Sequence, residues 1–167
     1  MTPKKTQNHP EIFQSRLDNL LNMRHKLVKL SQQINWKAFE NEFGNFYTPE
    51  WGRPGLPIRL LAGLTYLSRM FDFSDEASVE MLLENPYWQY FCGYEYFQIS
   101  SPLEASSLVR WRKRIGEKGV EFLLKQTIVT AQKTGQLTEK HMEKVNGDTT
   151  VQEKNIAFPT DARLYRR

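Results

Sequence analysis

The run Ile58 to Phe71, IRLLAGLTYLSRMF, is apolar nearly all the way round a helical wheel. A helix of that kind has no face to offer water, so it must be enclosed by other helices. The stretch before it, residues 44 to 57, is rich in Gly and Pro and carries Trp51, Arg53, Pro54, Gly55 and Pro57. Two prolines and two glycines within Gly52 to Pro57 cannot continue a helix from upstream. The sequence therefore predicts a rigid lead-in, with Pro57 near the first turn. The helix that follows forms the centre of a bundle.

The partners of that central helix are legible on both sides. From Glu11 to Ser31 the apolar residues Ile12, Phe13, Leu17, Leu20, Leu21, Leu27, Val28 and Leu30 recur mostly at steps of three and four, which predicts one amphipathic helix. Its Arg16, Arg24, Lys26 and Lys29 read as a solvated face. Asn35 is placed to cap a short helix, Trp36 to Phe43, whose Trp36, Phe39 and Phe43 share the buried side and which Gly44 ends. Ser74 caps a helix from Asp75 to Leu83, with Asp75 and Glu76 at its positive dipole end. Asn85 caps the next, with Pro86 in its first position. Tyr87, Trp88, Tyr90 and Phe91 form a dense aromatic cluster there. Aromatics on a basic protein can stack on bases, but this spacing fits core packing better.

After a loop from Gly93 to Pro102 comes the steepest local charge in the chain. In Leu103 to Lys118, Leu108, Trp111 and Ile115 make one buried stripe, while Arg110, Arg112, Lys113, Arg114 and Lys118 occupy the rest, with Glu117 the acid among them. A basic helix following several short ones suits a helix-turn-helix arrangement. There the later helix meets the major groove and its cations neutralise phosphates. A basic solvated face is the plainer alternative. Gly119 reads as the break before a last helix, Val120 to Thr134, with Gly135 as its C-terminal stop.

Bulk properties narrow the class. The chain has 167 residues, a net charge of +4 and one cysteine, so an internal disulfide and a cysteine-rich zinc site are excluded. Cys92 lies among Tyr90, Phe91 and Tyr94 and reads as a small core residue. No apolar stretch approaches the ~20 residues of a membrane span, and the polar first ten residues do not form a signal peptide. The expected location is the cytoplasm. His9, His25 and His141 are scattered, which argues against a zinc site or a nucleophile–histidine pair.

The end of the chain carries a different pattern. Asp148 begins a β-prone run, Thr149, Thr150 and Val151, and a turn-like Glu153-Lys154-Asn155 leads to a second apolar run, Ile156 to Phe158. This predicts a short hairpin. A strand can hold a metal-binding carboxylate rigidly. An Asp next to the Asn-Gly turn dipeptide can also simply bond its own backbone. Thr160 looks like an N-cap with too few residues after it for a stable helix.

The run GDTTVQEKNIAFPTDARLY resembles the start of the catalytic domain of insertion-sequence transposases of the IS-five type. The segment from about 46 to 134 resembles that family's helical N-terminal domain, through Trp51-Gly-Arg-Pro54, Phe73-Ser-Asp-Glu76 and Leu108-Val-Arg-Trp-Arg-Lys-Arg114. The resemblance implies a DDE enzyme with an RNase H-like core. Asp148 would be the first acid of the triad, a ligand for Mg2+, and double-stranded DNA of the insertion-sequence ends the partner, with a homodimer also expected. The implied fold is mainly α: a multi-helix N-terminal bundle with a helix-turn-helix-like part, then a β-hairpin beginning an incomplete RNase H-like α/β domain. The expected segments are 1–45 (N-terminal helices), 46–135 (the helical DNA-binding domain), 136–142 (linker) and 143–167 (the start of the catalytic domain). The later Asp and Glu would lie beyond Arg167, so the expectation is an N-terminal transposase fragment, inactive alone. The alternative is a non-catalytic DNA-binding or dimerising protein derived from a transposase.

Overall fold

The computed structural model describes residues 16–47 and 54–137, which form seven helices. In chain order these are α1 (Leu17–Leu20), α2 (Lys26–Gln33), α3 (Trp36–Gly44), α4 (Ile58–Phe71), α5 (Asp75–Glu84), α6 (Pro86–Phe91) and α7 (Ala105–Lys133). The chain divides into two units, residues 1–137 and 138–167. The second lies outside the described residues, and with it the expected hairpin, the RNase H-like start and Asp148. Among the described residues the only β-pairing is one isolated antiparallel bridge, Arg16 with Tyr96.

Helix α4 holds the centre, as its all-round apolar surface requires. Ile58, Leu60, Leu61, Ala62, Leu64 and Leu67 are buried, and α3, α5, α6 and α7 all pack against it. Phe39 and Phe43 of α3 are fully buried and meet the ring of Phe122 edge-on at 5.5 and 5.6 Å. Trp88, Phe91 and Cys92 are buried too, so the aromatic cluster is core. Burial also pushes the Cys92 thiol far above its ordinary pKa, consistent with an inert packing residue.

The polar punctuation works as its chemistry suggests. Asn35 Oδ1 accepts from the Ala38 N–H at 3.3 Å, Ser74 Oγ from Ala77 at 3.2 Å and Asn85 Oδ1 from Tyr87 at 2.9 Å. Asn85 closes α5 as well as opening α6. Gly135, at φ +70°, ends α7: its N–H reaches the Gln132 carbonyl and that of Gln136 reaches Ala131, the paired bonds of a Schellman stop.

Two expected elements come out differently. The single helix expected from Glu11 is two short ones, α1 and α2, among the described residues. Asn22 and His25 take local hydrogen bonds instead of continuing a helix. The Asn22 side chain accepts from Arg24 at 2.9 Å, and His25 Nδ1 accepts from Leu27 at 3.3 Å, capping α2. Tertiary contacts hold the bend: Leu17 N–H donates to the Glu95 carbonyl, and the His25 ring stacks on Tyr87 at 4.0 Å. The break expected at Gly119 falls at Gly116. There φ is 60° and ψ −165°, a region open essentially to glycine alone, so α7 is two helical stretches meeting at a kink. Gly119 is instead a buried helical residue.

Two polar side chains, the buried Gln89 and the half-buried Arg59, hold the end of α6 and the loop after it. Gln89, fully buried, donates to the Gln98 carbonyl at 2.8 Å and accepts from the Gln98 N–H at 2.6 Å. It clamps the loop between α6 and α7. Arg59 of α4 lies over the Trp36 ring at 4.9 Å and donates to the carbonyls of Tyr90 and Phe91 and to Ser31 Oγ. A guanidinium at the negative end of α6 satisfies the carbonyls that a helix end leaves unbonded. Burial lowers its pKa, and no carboxylate is hydrogen-bonded to it among the described residues.

Candidate nucleic-acid interface

The first stretch of α7, residues 105–115, is anchored by one apolar stripe. Leu108, Trp111 and Ile115 are each at most 3% exposed. Helical geometry then distributes the five cations that sequence analysis singled out around the remaining surface. They are not equivalent.

Arg112 faces α5 and is committed there. Its guanidinium donates to both carboxylate oxygens of Asp75, at 2.7 and 2.5 Å, in a bidentate, partly buried pair. The hydrogen bond from Arg112 is the main reason that the Asp75 carboxyl ionises below its ordinary range, with the charges of Arg112 and Arg69 adding to it. The same hydrogen bond holds the Arg112 pKa up. Asp75, which the sequence assigns to the dipole of its own helix, also ties α5 to α7. On the other flank, Arg114 lies over the Tyr47 ring at 5.0 Å. Burial raises the Tyr47 hydroxyl pKa, and Arg114 works against that.

Arg110 and Lys113 occupy the side opposite the apolar stripe and are exposed. Arg110 bonds back along its helix, from Nε to the Ser106 carbonyl at 3.2 Å and from Nη2 to Ser106 Oγ at 2.8 Å. Ser106 Oγ in turn donates to Glu104 at 3.3 Å. Lys118 is exposed just beyond the Gly116 kink. Arg110, Lys113, Arg114 and Lys118 are thus exposed, while Arg112 is tied to Asp75.

Asp148, the carboxylate assigned to magnesium by the resemblance, lies outside the described residues. Among the described residues no group of three or more His, Cys, Asp or Glu could hold a metal ion. No helix among them is long and apolar enough to cross a membrane. Sequence reasoning missed Arg59 and Gln89, which sit inside patterns that read as ordinary helix.

In comparison with known families, residues 15–114 match the family described as "Transposase domain (DUF772)", and the chain belongs to that family. It is also 50% identical over 155 residues to the "Uncharacterized protein ORF8 in nfe locus" of Rhizobium meliloti, across 93% of this chain and 74% of that protein. No solved structure matches the chain. The family match bears out the transposase part of the resemblance. It ends at residue 114, just short of the kink at Gly116.

Proposed function

We propose that this transposase-family chain binds double-stranded DNA through the outward face of α7, with Arg110, Lys113, Arg114 and Lys118 meeting phosphates and groove. The observation that carries this reading is the sorting of cations on α7. Four are exposed: Arg110 and Lys113 opposite the buried stripe, Arg114 on its flank and Lys118 just past the kink, an arrangement suited to helix-turn-helix docking in the major groove. Membership of the transposase-domain family supplies the biological context, since a transposase must hold its element's DNA.

The reading extends to chemistry of the IS-five type. Asp148 would be one metal-holding carboxylate of a DDE centre in an RNase H-like domain, and two further acids must converge on it for DNA cleavage and strand transfer. A bound magnesium would supply Lewis acidity at the phosphodiester.

The test is a titration of fluorescent duplex DNA with the 167-residue chain at several salt concentrations. Affinity should fall steeply, by orders of magnitude between about 50 and 200 mM salt if most of these cations meet phosphates. The variant Arg110→Ala/Lys113→Ala/Arg114→Ala/Lys118→Ala should lose most of that affinity and keep its helical circular dichroism. Undiminished binding by a folded quadruple variant would remove α7 from the interface.

A further inference from the structure

The exposed residues of α7 differ along its length. Toward and just past the kink they are mainly cations, Lys113, Arg114 and Lys118, with the exposed acid Glu117 among them. Toward the N-terminus they are Ser106, Val109 and Arg110, with Glu104 just before the helix. The second group makes a poor phosphate surface. Glu104 repels phosphate, and Val109, 39% exposed, offers it nothing. Its chemistry instead matches base edges. An arginine fork pairs with guanine O6 and N7, and an apolar side chain packs on the thymine methyl group. A helix in the major groove brings its N-terminal residues to the bases.

Arg110 is also prepared geometrically. Ser106, one turn earlier, holds its Nε and Nη2, while Ser106 is itself fixed by Glu104. That chain of hydrogen bonds draws the guanidinium back over the first turn of α7. Among the described residues Nη1 has no hydrogen-bond partner, so a donor edge stays available for a base. A phosphate-only arginine needs no such orientation, because attraction to a phosphate is largely sequence-blind.

We infer that the first turns of α7 read DNA sequence: Arg110 contacts a guanine, Val109 packs against a neighbouring thymine methyl, and Lys113 and Lys118 hold the backbone. This rests on the DNA-binding reading above and adds a specificity that general affinity does not require.

Selection of preferred sites from a randomised duplex library with the full 167-residue chain tests it. The selected site and a scrambled duplex then serve as probes for three variants. Wild type should enrich a site containing a guanine and prefer it to the scramble by at least about tenfold, the scale of a good bidentate contact. Arg110→Lys keeps the charge but not the fork, so it should bind the scramble as wild type does and lose most of the preference at one guanine. Val109→Ala should relax the preference at an adjacent thymine. Lys113→Ala should weaken both duplexes equally. An Arg110→Lys variant that keeps the full preference would overturn the inference, as would a wild-type chain that binds DNA but enriches no site. In both cases the DNA-binding reading stands. A wild-type chain that binds neither duplex would overturn both.

Discussion

Arg59 and Arg112 each hold one helix against another through a guanidinium, in contrasting surroundings. Arg59 is in the α4–α6 centre, without a hydrogen-bonded carboxylate among the described residues, satisfied by the carbonyls at the end of α6, a serine hydroxyl and the Trp36 ring. Arg112 is at the α5–α7 rim, where a single carboxylate, that of Asp75, takes its fork. At the centre, a charge is tolerated because oriented dipoles replace its water. At the rim, water still reaches the pair, and its worth is correspondingly small. Local sequence does not separate these roles: Arg59 sits in a helix that is apolar nearly all round and Arg112 beside the apolar stripe of α7, and neither pattern names the partner.

The larger expected effect is at the centre. Arg59→Met fills similar space but strands the Phe91 carbonyl and removes the cation from the Trp36 ring, and it should cost about 3 kcal/mol in urea unfolding. A cost near zero would mean that the centre gains nothing from the dipole arrangement. The rim effect is smaller: Arg112→Ala should cost about 1 kcal/mol.

The rim should also show in acid. Asp75 ionises at a lower pH in the folded chain than unfolded, so the pair's contribution is complete above the ordinary carboxylate pKa of 3.8. It is lost as pH falls below that value through the folded-state pKa. Wild type should therefore lose more stability than Arg112→Ala on going from pH 5 to about pH 2. Parallel losses in the two proteins would take Asp75 out of the acid response.

What the sequence made legible follows from how far each determinant reaches along the chain. The caps at Asn35, Ser74 and Asn85, the stop at Gly135 and the burial of Ile58 to Phe71 depend on neighbours within a turn or two, and each was visible. The bend between α1 and α2 was hidden because Leu17, Leu21, Leu27 and Val28 keep a helical rhythm across it. It is held by Glu95 and Tyr87, far along the chain. Gly116 and Gly119 are three residues apart in similar polar company, and only packing decides which is buried and which kinks. In the interface the cationic helix was legible as a whole. Its division was not, because Asp75 and Arg112 stand 37 residues apart with no local signal joining them. Asp148 carries its meaning by resemblance and lies outside the described residues.

The division of cations on α7 is the central claim, and the slope of log affinity for duplex DNA against log salt concentration tests it most directly. Removing one cation that neutralises a phosphate lowers the steepness of that slope by about one. Lys113→Ala should lower it by about one, while Arg112→Ala should leave it at the wild-type value and reduce stability instead. A slope lowered by about one in Arg112→Ala, with unfolding unchanged, would contradict the account: Arg112 would then belong to DNA and not to Asp75.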